Sequence, residues 1–110
     1  GITASAATML KIVEGVKSPW FGVNFDSGNF HAEDPYAELA KIAPYAINAQ
    51  IKTEMSVGAN KSPADLARIV KILRDAGYAG WITLEYEGAE NPYDAIPKHI
   101  EALKGVLAAS

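Results

Sequence analysis

An alternation narrows the fold of this chain more than any other feature. Stretches with apolar residues at helical spacing take turns with short aromatic and β-branched runs, and three of the helical stretches are opened by a polar residue followed by proline. Met9, Leu10, Val13 and Val16 predict a first helix over residues 4–16, stopped near Gly15 and Ser18-Pro19. WFGVNF (20–25) reads as a strand. Asp34-Pro35 opens a second helix to about Ala43, the Asp as cap and the Pro in the first turn, where its missing N–H costs nothing. AINAQIK (46–52) is the next strand. Ser62-Pro63 repeats the opening, with Leu66, Ile69, Val70 and Leu73 on one stripe and Gly77 at the close. GWITLEY (80–86) is a third strand. Asn91-Pro92 starts a last helix carrying Ile96, Ile100, Leu103 and Leu107, which Pro97 should kink or restart. Residues from about Thr53 to Ser62 are expected to be loop. Strands alternating with helices in this order predict a parallel sheet joined by crossovers.

Parallel strands covered by helices on both faces should be almost wholly apolar. These are not. Side chains alternate along a strand, so Phe21, Val23 and Phe25 share one face while Gly22, Asn24 and Asp26 share the other. Ile47, Ala49 and Ile51 likewise oppose Asn48, Gln50 and Lys52; Ile82, Leu84 and Tyr86 oppose Trp81, Thr83, Glu85 and Glu87. A small sheet with one face in water would alternate in this way without any chemistry. Asp26, Gln50 and Glu85, however, fall at the same stage of their strands, and a β/α barrel directs such positions from the C-terminal strand ends toward a common axis.

Bulk properties exclude several classes. The chain has 110 residues, 49% of them apolar, enough for one domain or a piece of a larger one. Its net charge is -3 and its 10 Lys and Arg form no run, so neither nucleic acid nor a membrane surface is an expected partner. It has no cysteine, which excludes a disulfide framework and thiolate metal sites, and no apolar stretch long enough to span a bilayer. A cytoplasmic location is the expectation. GITASAATML has no signal-peptide pattern and no initiator Met, which suggests a chain numbered from partway through a longer protein.

FGVNFDSGNF, PYAINAQIKTE and ILRDAGYAGWITLEYEG, in that order and followed by the last helix, resemble the sugar phosphate isomerase/epimerase superfamily, the xylose isomerase-like TIM barrels. The resemblance covers the whole chain and corresponds to the C-terminal half of a (β/α)8 barrel: three parallel strands alternating with four helices, residues 1–110 forming one half-barrel. It implies a sugar or sugar-derivative isomerase or epimerase. In that family Glu, Asp, His and Glu from the last four strands hold a divalent metal, a Glu moves a proton on the carbon next to the carbonyl, and the metal stabilises the enediolate. Asp26 matches the Asp and Glu85 the final Glu, as ligand and catalytic acid/base. Gln50 stands at the His position, a departure. The first Glu would precede residue 1. With oxygen donors only, the implied cofactor is Mn or Mg rather than Zn. The Gln substitution also admits the opposite reading, a carbohydrate- or partner-binding relative that has lost its metal.

Other residues carry two readings each. Asn29, where some relatives place a substrate-contacting His, suits either a sugar hydroxyl or a left-handed turn beside Gly28. Lys52 suits either a substrate phosphate, carboxylate or enediolate oxygen, or an ion pair with Glu54, Glu85 or Glu87. Glu87, with Asn29 and Lys52 a candidate substrate-binding residue, either orients Lys52 or caps the strand-end loop, or is simply solvated. His31 reads as a loop histidine and His99 as part of an outer helix face; Trp20 and Trp81 read as buried strand packing rather than as a platform for a sugar ring. A closed barrel takes about 250 residues. Three strands with two free edges are therefore expected to need the N-terminal half of the barrel, or a second copy, as partner. Alone, the chain is expected to be inactive and prone to association.

Overall fold

The computed structural model describes residues Gly1–Ser110. Helix α1 (Ala6–Val16) leads into strand β1 (Val23–Asp26), α2 (Pro35–Ile42), a short 3-10 turn (Ala43–Tyr45) and strand β2 (Ala46–Lys52). A hairpin of β3 (Glu54–Val57) and β4 (Asn60–Pro63) follows, then α3 (Leu66–Asp75), β5 (Ile82–Glu85) and α4 (Pro92–Ala109). Strands β1, β2 and β5 form one sheet in that order, and both pairings are parallel.

The apolar alternation builds the core. Val23 and Phe25 of β1 and Ala49 and Ile51 of β2 are buried against Leu39 and Ile42 of α2 and Ile69, Val70 and Leu73 of α3. Burying an aliphatic or aromatic side chain of this kind contributes about 1.5–3 kcal/mol, so this face supplies the drive that closes helices onto sheet. The opposite face is open, with Asn24, Asn48 and Thr83 exposed. Asn48 Nδ2 donates to Asn24 Oδ1 at 2.8 Å across two neighbouring strands, pairing side chains that have no core to enter.

Caps set the helix starts. Ser5 accepts from Thr8 N–H at α1, Asp34 from Ala37 N–H at α2, and Asn91 from Tyr93 N–H at α4. The proline opening holds at Pro35 and Pro92. At Ser62-Pro63 it does not: α3 is capped by Asp65, whose Oδ1 accepts from Arg68 N–H at 3.1 Å. Ser62 and Pro63 lie instead in β4, paired with Met55 and Glu54. Proline fits there because a two-stranded edge leaves its nitrogen facing away from the ladder.

The segment expected as loop therefore holds a hairpin. Gly58 and Ala59 make its two-residue turn, with Gly58 alone at positive φ (+58°), the backbone that favours glycine in first place. Met55 is buried and ties the hairpin to the core. Helix α4 runs unbroken through Pro97. Pro97 sits six positions in, so only one hydrogen bond near the start of an 18-residue helix is forfeited.

One register feature breaks the expected alternation. Val23 pairs with Ala46 but Asn24 pairs with Asn48, so Ile47 is an extra residue on β2 and stands 64% exposed instead of joining Ala49 and Ile51. Gly22 belongs to the same bulge: a Cβ there would lie 2.5 Å from Ile47 Cγ2 and 2.6 Å from the Tyr45 carbonyl oxygen. Trp20 and Trp81 are 92% and 89% exposed, the reverse of the expected burial. Both precede their strands, at the end of the sheet remote from Asp26 and Glu85, where no helix reaches over them.

Candidate active site

The C-terminal strand ends gather the ionisable residues. Asp26, last in β1, pairs with Gln50 of β2; Glu85, last in β5, pairs with Lys52. Glu85 thus stands one pleat further along than Gln50, whose own partner on β5 is Thr83. The side chains close that gap, Gln50 donating through Nε2 to Glu85 Oε2. Asp26, Gln50 and Glu85 share one face and one rim of the sheet.

Lys52 joins the rim into a network. Its Nζ lies 3.3 Å from each Glu87 carboxylate oxygen, 3.7 Å from Asp26 Oδ2 and 3.8 Å from Glu85 Oε2. Its side chain is only 21% exposed. Burial alone would lower the Lys52 pKa, but the Asp26 charge, the Glu87 hydrogen bond and the Glu85 charge outweigh it and raise the pKa above the usual 10.5. The Glu87 carboxyl is held below its usual 4.5, first by the Lys52 hydrogen bond, then by a hydrogen bond with Glu85 and by the Lys52 charge. The ion-pair reading of Lys52 and the orienting reading of Glu87 both describe this geometry. Glu54 makes no ion pair with Lys52.

The turn after β1 shapes the site through residues whose sequence signal is faint. Ser27 is fully buried; its N–H donates to the Gln50 carbonyl at 3.0 Å and its Oγ accepts from Lys52 N–H at 2.8 Å. Gly28 N–H donates to Asp26 Oδ1 at 2.9 Å, fixing that carboxylate. A Cβ at Gly28 would meet Lys52 Cδ at 2.5 Å, so the absence of a side chain there is what admits the lysine stem. A small pair directly after a strand was the available clue. Gly28 and Asn29 are not left-handed, so that reason for the Gly-Asn turn is corrected: its Asn29 N–H donates to the Asp26 carbonyl at 3.1 Å. Asn29 Nδ2 donates to the Thr3 carbonyl at 2.7 Å.

Two clefts flank the rim. One, of about 300 Å³, lies along the free edge of β1 between Thr3, Met9, Phe21, Asn24, Asp26 and Asn29. The other, of about 360 Å³, is polar and lies under the hairpin between Gly28, His31, Lys52, Glu54, Lys61 and Glu87. Lys61 and Glu54 come from the hairpin; Lys61 had no place at the site while that segment was read as loop, and Glu54 lines the cleft without pairing with Lys52. His99 does not face outward alone: its ring stacks on Tyr86 at 5.4 Å.

A parallel sheet with helices on one face and a charged rim at its C-terminal strand ends is a sector of a β/α barrel, the class in which that rim carries chemistry. The chain belongs to the xylose isomerase-like TIM barrel family, whose model matches residues 1–106. No curated protein matches it. No helix is long and apolar enough to cross a membrane.

A divalent cation is the cofactor this family membership raises. No group of three or more His, Cys, Asp or Glu side chains is spaced to hold a metal. The donors that do converge are two carboxylates, Asp26 and Glu85, and the Gln50 amide, whose Oε1 is left free because Nε2 makes the bond to Glu85. The two donor carboxylates and Glu87 face one ammonium at the rim, leaving an excess of one negative charge on the donors themselves and of two with Glu87 counted, and all the donors are hard oxygens. That set fits Mn or Mg in kind and in charge, and covers about half of the roughly six ligands such ions take.

Proposed function

We propose that this chain carries the C-terminal catalytic rim of a sugar or sugar-derivative isomerase or epimerase. The convergence of Asp26, Gln50 and Glu85 at one end of a barrel-type sheet supports this reading. Asp26, Gln50 and Glu85 would hold Mn or Mg, and the bound ion would supply Lewis-acid polarisation of the substrate's carbonyl and hydroxyl oxygens.

The protein residues would do the rest. Glu85 would be both a ligand and one of the two acid/base groups, its carboxylate taking the proton from the carbon beside the carbonyl. Gly28 N–H holds Asp26 in place for its part. Lys52, steadied by Glu87, offers positive charge to the substrate oxygen that becomes anionic, and Asn29 stands at the edge-side cleft within reach of a sugar hydroxyl. The second acid/base group would come from the strand that pairs with the free edge of β1, so the sheet works as part of a complete barrel, with the remaining strands supplied by the rest of that barrel or by a second copy.

Exchange of the substrate's α-hydrogen with deuterated water tests the chemistry. In the complete barrel, Glu85→Gln should abolish exchange while leaving the far-ultraviolet circular dichroism unchanged; undiminished exchange would remove Glu85 from the reaction. A second reading draws on the ammonium of Lys52 among the very carboxylates a metal needs: a carbohydrate- or partner-binding barrel without metal. Metal analysis separates the two. Stoichiometric Mn or Mg that is lost on Glu85→Gln supports the enzyme, and metal-free protein supports the binder.

A further inference from the structure

Lys52 occupies an unusual place for a side chain beside a cation site. Its backbone is fixed, with its N–H on the buried Ser27 Oγ at 2.8 Å, and its stem lies against Gly28 where a Cβ would come within 2.5 Å of Cδ. Its Nζ sits at one point shared by three carboxylates, 3.3 Å from both oxygens of the more exposed Glu87, 3.7 Å from Asp26 Oδ2 and 3.8 Å from Glu85 Oε2.

We propose that Lys52 is a built-in cation that competes with the divalent ion for the Asp26 and Glu85 carboxylates, and that Glu87 is the carboxylate that retains it when the ion binds. The inference rests on the reading that Asp26, Gln50 and Glu85 hold such an ion. An ammonium and a divalent ion a few ångströms apart repel, and that repulsion is taken directly from the ion's affinity. Glu87 reduces the penalty by neutralising the ammonium on the solvent side. The arrangement sets metal affinity below what the carboxylates alone would give and keeps their charges compensated before the ion arrives.

Titration of Mn2+ into the complete barrel, followed by the electron paramagnetic resonance signal of the free ion, tests this without any assay of turnover. Lys52→Met keeps the stem and removes the charge, and should bind Mn2+ about tenfold more tightly or better. Glu87→Gln should bind it several-fold more weakly, because Lys52 is then left on Asp26 and Glu85. A loss of fold would weaken both, so opposite shifts support the proposal. Wild-type binding with an unchanged or weaker affinity in Lys52→Met, its circular dichroism being native, overturns the competition and leaves the metal reading standing. Should Lys52→Met not fold, Glu87→Gln decides: an unchanged affinity overturns the proposal. Absence of Mn2+ uptake by all three proteins overturns both the proposal and the metal reading.

Discussion

Gly28 shows how a residue without a side chain controls one that has a charge. Its N–H fixes Asp26 and its bare Cα admits the Lys52 stem. Gly28→Ala should therefore push the ammonium out of the network, and the Lys52 amine should react faster with a water-soluble acylating reagent; an unchanged rate would mean the stem finds another path. Gly22 is tighter still, because a Cβ would meet the rigid Tyr45 carbonyl as well as Ile47. Gly22→Ala should cost about 1–3 kcal/mol of unfolding free energy in denaturant titration, in the range of overpacked interiors. The Lys52–Glu87 pair has a pH signature. Glu87 has a lowered pKa, so its contribution is present above pH 4.5 and lost as pH falls through the folded value. Lys52 has a raised pKa, so its contribution is present below pH 10.5 and lost as pH rises through the folded value. Glu87→Gln should remove the Glu87 part of the acid-side loss of thermal stability, and an acid limb identical to wild type would assign that loss to other groups.

Elements were read with uneven success, and the reasons are local. Strand β2 matches its sequence run at both ends because Ala46–Lys52 is bounded by the proline turn before it and the hairpin after it. Strands β1 and β5 are shorter than their apolar runs, since Trp20, Phe21 and Trp81 are aromatic without being paired. The Ser62-Pro63 opening misled because an X-Pro step favours extended backbone as readily as it precedes a helix. What decided it was Asp65, a better cap three residues later, and pairing across the Gly58-Ala59 turn. Asp65→Ala should cost about 1 kcal/mol, the usual value of an N-cap, seen as a lower midpoint in thermal melting. If Ser62 were the cap, Asp65→Ala would be neutral.

At the scale of the whole molecule, the sheet is open. Strands β1 and β5 each have one unpaired edge, and the face opposite the helices bears Ile47 at the bulge with Trp20 and Trp81 at the same end. Exposed aromatic surface and free parallel edges drive association. The isolated chain should therefore elute as more than a monomer, and at dilutions where it dissociates its tryptophan emission should be that of solvated indole. Complementation by the remaining strands of a barrel should shift that emission to the blue. A monodisperse monomer that catalyses α-hydrogen exchange unaided would contradict the half-barrel reading.

Alternation along single strands was enough to put Val23, Phe25, Ala49 and Ile51 against the helices and Asp26, Gln50 and Glu85 on the other face, because a period of two is a property of each strand by itself. The sequence also carried the order of the four helices and the three parallel strands, since capping and apolar spacing act over a few residues. Tertiary structure alone decided the bulge that expels Ile47, the hairpin that brings Glu54 and Lys61 to the rim, and the seating of Lys52 among three carboxylates. Each of these depends on how one strand is registered against another, and register is set by contacts between residues far apart in the chain, which no local pattern encodes.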